Sequence, residues 1–149
     1  MNKVCIIGQG YIGFPTSLFL AKAGHEVTGV DVNTDIINKL SAGNIHIQEP
    51  GLEELFDRVK HNIKFQTSPC EADIFIITVP TPFLSNKQID ETYINSAVES
   101  ILPLLKKGDS VILESTVPPK TTEKIIDKIT FQKKITLKIV KKSNNVNFH

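Results

Sequence analysis

Apolar runs rich in valine and isoleucine recur along the chain, each followed by a stretch whose apolar residues return at intervals of three and four. Residues 4–7 (Val-Cys-Ile-Ile) are apolar without alternation, the pattern of a parallel strand covered on both faces. A helix is predicted over 11–23 with Gly24 as its stop, then a strand over 26–31, then a helix that Asn33 caps and that runs to Leu40. Residues 43–51 are a loop carrying Glu49-Pro50-Gly51, after which Leu52, Leu55, Phe56 and Val59 have helical spacing. A short strand at 63–65 precedes a stronger one at 73–79, which Pro80-Thr81-Pro82 ends because proline cannot donate to a ladder. A polar loop over 85–90 leads to a helix over 92–105, closed by Lys106-Lys107-Gly108. A strand at 110–114 and a helix at 121–129 follow, separated by Pro118-Pro119, and residues 146–149 could begin a sixth strand.

Strand and helix alternating throughout is the signature of right-handed crossovers between parallel strands. The chain is therefore read as α/β: a Rossmann-type doubly wound parallel sheet of about six strands, with helices on both faces. With 149 residues, 40% of them hydrophobic, there is enough for one buried core, so 1–149 is expected to form a single domain. A net charge of +1 argues against a global field that would attract nucleic acid or a membrane. Lys133, Lys134, Lys138, Lys141 and Lys142 do cluster, but without interleaved aromatics they read as a solvated face and not a nucleic-acid patch. No segment approaches the roughly 20 apolar residues of a membrane helix, and no membrane partner is expected.

Two cysteines, Cys5 and Cys70, cannot make a disulfide framework, and a reducing cytoplasm is the expected compartment. Cys5 lies within an apolar strand and reads as a small core hydrophobe, while Cys70 is followed by Glu71 and Asp73, whose charge opposes thiolate formation. His25, His46, His61 and His149 show no spacing for a metal or a catalytic triad, so surface or turn roles are expected. Neither a catalytic residue nor a metal site is assigned.

One motif carries chemistry. Gly8-Gln9-Gly10-Tyr11-Ile12-Gly13 matches GxGxxG between a buried strand and an apolar helix, the context in which it binds dinucleotides. Gly8 permits the tight turn, Gly10 leaves room for a diphosphate against the backbone, and Gly13 lets helix and strand approach. The phosphates would rest on the helix N-terminus, where unpaired N–H groups favour negative charge. Asp31, ending the second strand, can accept from a ribose 2′-hydroxyl and would repel a 2′-phosphate, which selects NAD over NADP. The alternative is that Asp31 merely caps the next helix. Thr81 and Ser115-Thr116 end later strands on the edge where ligands lie, although hydroxyls there also serve as turn formers.

With these residues laid out, the chain resembles the UDP-glucose/GDP-mannose dehydrogenase family. The resemblance rests on residues 4–16 (VCIIGQGYIGFPT), 29–32 (GVDV), 45–55 (IHIQEPGLEEL), 73–83 (DIFIITVPTPF) and 102–122 (LPLLKKGDSVILESTVPPKTT), in family order. It implies NAD-dependent oxidation of the C6 hydroxymethyl of a UDP-sugar to a carboxylate through an aldehyde, consuming two NAD. It also implies cofactor contacts from Tyr11, Ile12, Asp31, Thr81 and Thr116, and attaches less defined roles to Glu114 and to Glu49, Pro50 and Gly51. Lys120 stands where the family usually has glycine. The chain stops near where the family continues into a linking helix, which builds a homodimer, and a substrate domain with the catalytic cysteine. The expectation is thus a cofactor domain that binds NAD and turns over no sugar by itself. The alternative is a truncated, inactive nucleotide-binding module; a methyltransferase is disfavoured by the EPG and PTP strings.

Overall fold

The computed structural model describes residues 1–85, 89–115, 117 and 121–133. Five strands form one sheet: β1 (Lys3–Ile7), β2 (Glu26–Val30), β3 (Ile63–Gln66), β4 (Ile74–Ile77) and β5 (Ser110–Leu113). Their order is β3-β2-β1-β4-β5, and every pair is parallel. The helices are α1 (Gly13–Lys22), α2 (Thr34–Ser41), α3 (Leu52–Val59), α4 (Thr92–Ile101) and α5 (Thr121–Lys133). The doubly wound parallel sheet expected from the alternation is the architecture found, with five strands among the described residues. The sixth strand expected over 146–149 lies outside them.

Because β1 and β4 have neighbours on both edges and helices on both faces, their side chains are buried without alternation, which is why the sequence reads as continuous apolar runs. Val4 and Ile6 point to one layer with Phe14 and Leu18 of α1 and Phe56 of α3, whose rings meet edge to face at 5.4 Å between Phe14 and Phe56. Cys5 and Ile7 point to the other, with Phe75, Ile94, Val98, Ile101 and Ile129 from β4, α4 and α5. Each large side chain buried this fully contributes about 1.5–3 kcal/mol against its exposed state. Cys5 belongs to this core: burial pushes its thiol up to about 12, the chemistry of a packed residue and not of a nucleophile. Cys70 is half-buried, its Sγ 3.5 Å from Thr28 Oγ1.

Several boundaries differ from the pattern-based reading. Helix α5 runs to Lys133 and not to 129, and β1, β2, β3 and β5 each shift by one residue at one end. Three further differences have a clear physical cause. The first helix begins at Gly13 and not at residue 11, because Tyr11 and Ile12 belong to the turn itself. The fourth strand ends at Ile77 and not at 79, where its partner β1 also ends. The helix predicted to 105 stops at Ile101 and tightens into a 3-10 turn, Leu102–Leu104, since Pro103 has no N–H to continue the helical ladder. At the opposite end of the sheet Lys106 reaches Glu71 at 2.5 Å; the ammonium holds the Glu71 carboxyl below its ordinary range, and the carboxylate raises Lys106. Both groups are exposed, so water screens the pair.

Candidate dinucleotide-binding site

The chain builds β1, β2 and β3 in one direction and then returns to place β4 and β5 on the other side of β1. Loops leaving β1 and β4 therefore diverge, and a cleft of ≈ 730 Å³ opens beyond the carboxyl ends of the strands. Its floor is the glycine turn. Gly8 takes φ +97°, a conformation side chains rarely adopt, and its amide donates to the Val30 carbonyl at 2.7 Å. Thr78, the first residue after β4, lies within donating reach of the Ile7 and Gly8 carbonyls through its hydroxyl, at 3.0 and 2.8 Å. Gly13 closes the same knot: a Cβ there would sit 1.8 Å from the Gly8 oxygen and 2.4 Å from Thr78 Oγ1. Helix α1 can start this close to the strands only with hydrogen at that position.

Above the knot, the head of α1 is arranged for an anion. Its N-cap, Ile12, makes no side-chain cap bond, and its first turn holds no acidic residue. Among the described residues the amides of Tyr11 and Ile12 have no hydrogen-bond partner, while their side chains stand 73% and 56% exposed at the cleft wall. Unpaired N–H groups at the positive end of a helix are a binding surface for phosphate. Gly10 faces the same space, and a Cβ there would meet nothing within 4 Å.

Asp31 follows β2 and reaches into the cleft beside this turn. One carboxylate oxygen accepts the Gln9 amide at 2.8 Å and the other the Asn33 amide at 2.9 Å. The capping alternative and the binding reading are therefore compatible: the carboxylate is fixed by two backbone donors, and each oxygen keeps a further acceptor site for a diol. Asn33 itself caps α2 by accepting from the Asp35 amide at 3.0 Å. Thr81 lines the far side of the cleft. Ser115 also borders it, but its hydroxyl donates to the Val79 carbonyl at 2.7 Å and ties the ends of β4 and β5 together. Thr116 and Lys120 lie outside the described residues. Among the described lining residues Asp31 and Glu114 are charged, and neither Lys nor Arg is present.

Other contributors were not singled out by the sequence. Gln9, an unspecified position of the motif, is 0% exposed and donates through its amide nitrogen to the Ile6 and Gly8 carbonyls at 3.1 and 3.2 Å, while Ser17 donates to its oxygen at 3.1 Å. His46, expected in a surface or turn role, is instead half-buried against Phe14, with ring centroids 5.2 Å apart. Glu49, Pro50 and Gly51 line a separate concavity of ≈ 620 Å³ and do not enter the cleft; Gly51, at φ +80°, begins α3. Among the described residues no group of His, Cys, Asp or Glu has the arrangement of a metal site, and no helix is long and apolar enough to cross a membrane.

A cleft at the switch point of a parallel sheet, floored by glycine and walled by a helix terminus, defines a dinucleotide-binding domain of the doubly wound class. Residues 2–148 match the UDP-glucose/GDP-mannose dehydrogenase family, NAD binding domain, and the chain belongs to that family. It is 49% identical over 141 residues to the UDP-N-acetyl-D-mannosamine dehydrogenase of Methanococcus maripaludis strain C7, covering 91% of this chain and 33% of that protein. Against the NDP-N-acetyl-D-galactosaminuronic acid dehydrogenase of Ralstonia nicotianae it is 44% identical over 134 residues, covering 89% and 32%. The solved UDP-N-acetyl-mannosamine dehydrogenase of Staphylococcus aureus superposes with a TM-score of 0.86 at 41% identity, over 91% of this chain and 35% of that one. The chain thus spans about a third of the length of these relatives.

Proposed function

We propose that this chain is the NAD-holding part of a UDP-sugar 6-dehydrogenase, acting on UDP-N-acetyl-D-mannosamine or a related UDP-hexose. The overall change would take a C6 hydroxymethyl, water and two NAD to a carboxylate, two NADH and three protons. NAD, when bound, supplies the hydride acceptor. The residues of this chain bind and orient it. Gly8, Gly10 and Gly13 keep the turn low and clear, the Tyr11 and Ile12 amides with the α1 terminus hold the diphosphate, and Asp31 accepts from the adenosine ribose. Thr81 and Thr116 are assigned hydroxyl contacts farther along the cleft. Sugar oxidation would call on groups outside this chain, in a cytoplasmic homodimer.

The observation that carries this reading is Asp31. Its doubly anchored carboxylate stands beside an open helix terminus, with no Lys or Arg in the described lining to receive a 2′-phosphate. Titration calorimetry of the 149-residue chain with NAD, NADP and UDP-N-acetyl-D-mannosamine tests it. NAD is expected to bind, NADP to bind at least about tenfold more weakly, a difference of about 1.4 kcal/mol, and the sugar nucleotide not to bind measurably. Tighter binding of NADP, or no heat with either dinucleotide, contradicts the proposal.

A further inference from the structure

We propose that His46 is a positioning residue for the diphosphate: by holding the Gln9 carbonyl, it aims the amide edge of the glycine turn into the cleft. The inference rests on the dinucleotide reading of that cleft. His46 Nε2 lies 2.6 Å from the Gln9 carbonyl oxygen, across 37 positions of sequence. A carbonyl only accepts, so Nε2 carries the proton and donates. The other ring nitrogen, Nδ1, is buried without a hydrogen-bond partner among the described residues, so a proton there would have no acceptor. The two contacts together select the Nε2–H arrangement of the ring. The ring cannot turn away easily, because it packs at a tilt of 55° against Phe14 in the first turn of α1.

The consequence follows from peptide geometry. In a trans peptide the carbonyl and the next amide point in opposite directions, and no cis bond occurs among the described residues. A carbonyl pinned toward His46 leaves the Gly10 N–H pointing to the other side, and Gly10 lines the cleft. Gln9 is already fixed on its other groups, its own amide by Asp31 and its side chain by Gly8, Ile6 and Ser17. The His46 bond sets the remaining freedom, the tilt of the Gln9–Gly10 plane on which the Tyr11 and Ile12 amides follow. It also fastens the loop before α3 to the cofactor turn.

His46→Phe keeps the ring on Phe14 and removes the donor; His46→Gln restores an amide N–H at similar reach. The Kd for NAD and the melting temperature without NAD are measured for both, beside the wild-type chain. The expected result is an NAD Kd raised about tenfold in His46→Phe and returned to within about threefold of wild type in His46→Gln, the scale of one well-placed hydrogen bond. A purely structural histidine would move melting and leave the Kd of the folded protein alone. Unchanged NAD affinity in a folded His46→Phe chain, beside normal binding by wild type, overturns the inference; failure of wild type to bind NAD overturns the site reading itself. Imidazole nitrogen NMR of the wild-type chain gives a check that needs no variant: a proton on Nε2 supports the proposal, and a proton on Nδ1 alone contradicts it.

Discussion

Alanine substituted at Gly13 is expected to cripple folding, whereas alanine at Gly10 is expected to leave the fold intact and weaken NAD binding. The two positions are three residues apart in one motif, yet their surroundings differ completely. The new methyl at Gly13 would fall 1.8 Å from the Gly8 carbonyl oxygen, a backbone atom held by Thr78 and Gln9. Nothing flexible can yield there, so α1 must lift from the end of β1, opening the contact between Phe14 and the core. A loss of about 3 kcal/mol, the upper end for overpacking, is a large part of the roughly 5–15 kcal/mol that holds a domain together. The methyl at Gly10 meets no atom within 4 Å and enters the space assigned to the diphosphate. Urea unfolding of Gly10→Ala should match wild type, and calorimetry should show NAD affinity reduced about 10- to 100-fold, the 1–3 kcal/mol that a methyl forced into a packed contact costs. Gly13→Ala should show the reverse order of effects, with the unfolding midpoint lost first.

Replacement of Asp31 by alanine is expected to be nearly as damaging to binding and to alter cofactor choice. The carboxylate accepts the Gln9 and Asn33 amides and is assigned the ribose diol, so its removal takes away a charged acceptor worth about 1.5–3 kcal/mol to a hydrogen-bonding ligand. NAD should bind about 10- to 100-fold more weakly. NADP should lose much less, or gain, because the charge that repels its 2′-phosphate is gone. Asp31→Asn separates the two roles, since its single carbonyl oxygen can serve only part of the donor set while the repulsion is removed. Calorimetry with both cofactors reads the ratio; a variant that loses NAD and NADP equally would mean that Asp31 acts only as a brace for the turn.

Much of this site was legible because its parts are local. The glycines are spaced for a turn, the apolar run before them is continuous because β1 is covered on both faces, and Asp31 follows a second run that ends at Val30. Thr81 sits between two prolines just past β4, and it is among the residues that line the cleft. Sequence spacing could not find Thr78, Gln9 or His46. Each acts through a fixed contact between segments far apart in the chain, about 70 residues for Thr78 with Gly8 and 37 for His46 with Gln9. A threonine just past a strand and a histidine in a loop carry no periodicity that reports such a partner. Gln9 gave a weak signal: a long polar side chain between a buried strand and two glycines must find partners if it is buried, and it finds them in Ser17 and the turn carbonyls. Helix ends were the least legible, because Pro103 could be read as part of a helix or as its end until the 3-10 turn was seen.

The central claim is that one dinucleotide lies across the tips of β1, β2 and β4 with its phosphates on the head of α1. The most direct test is the amide NMR spectrum of the isotope-labelled chain, followed as NAD is added. Saturable shifts are expected at Gly10, Tyr11 and Ile12, with a second group at Asp31 and Asn33 and a third near Thr81, while the amides around Glu49 and Gly51 stay in place. Shifts centred on the Glu49 to Gly51 loop, or a spectrum that NAD leaves unchanged, would contradict it.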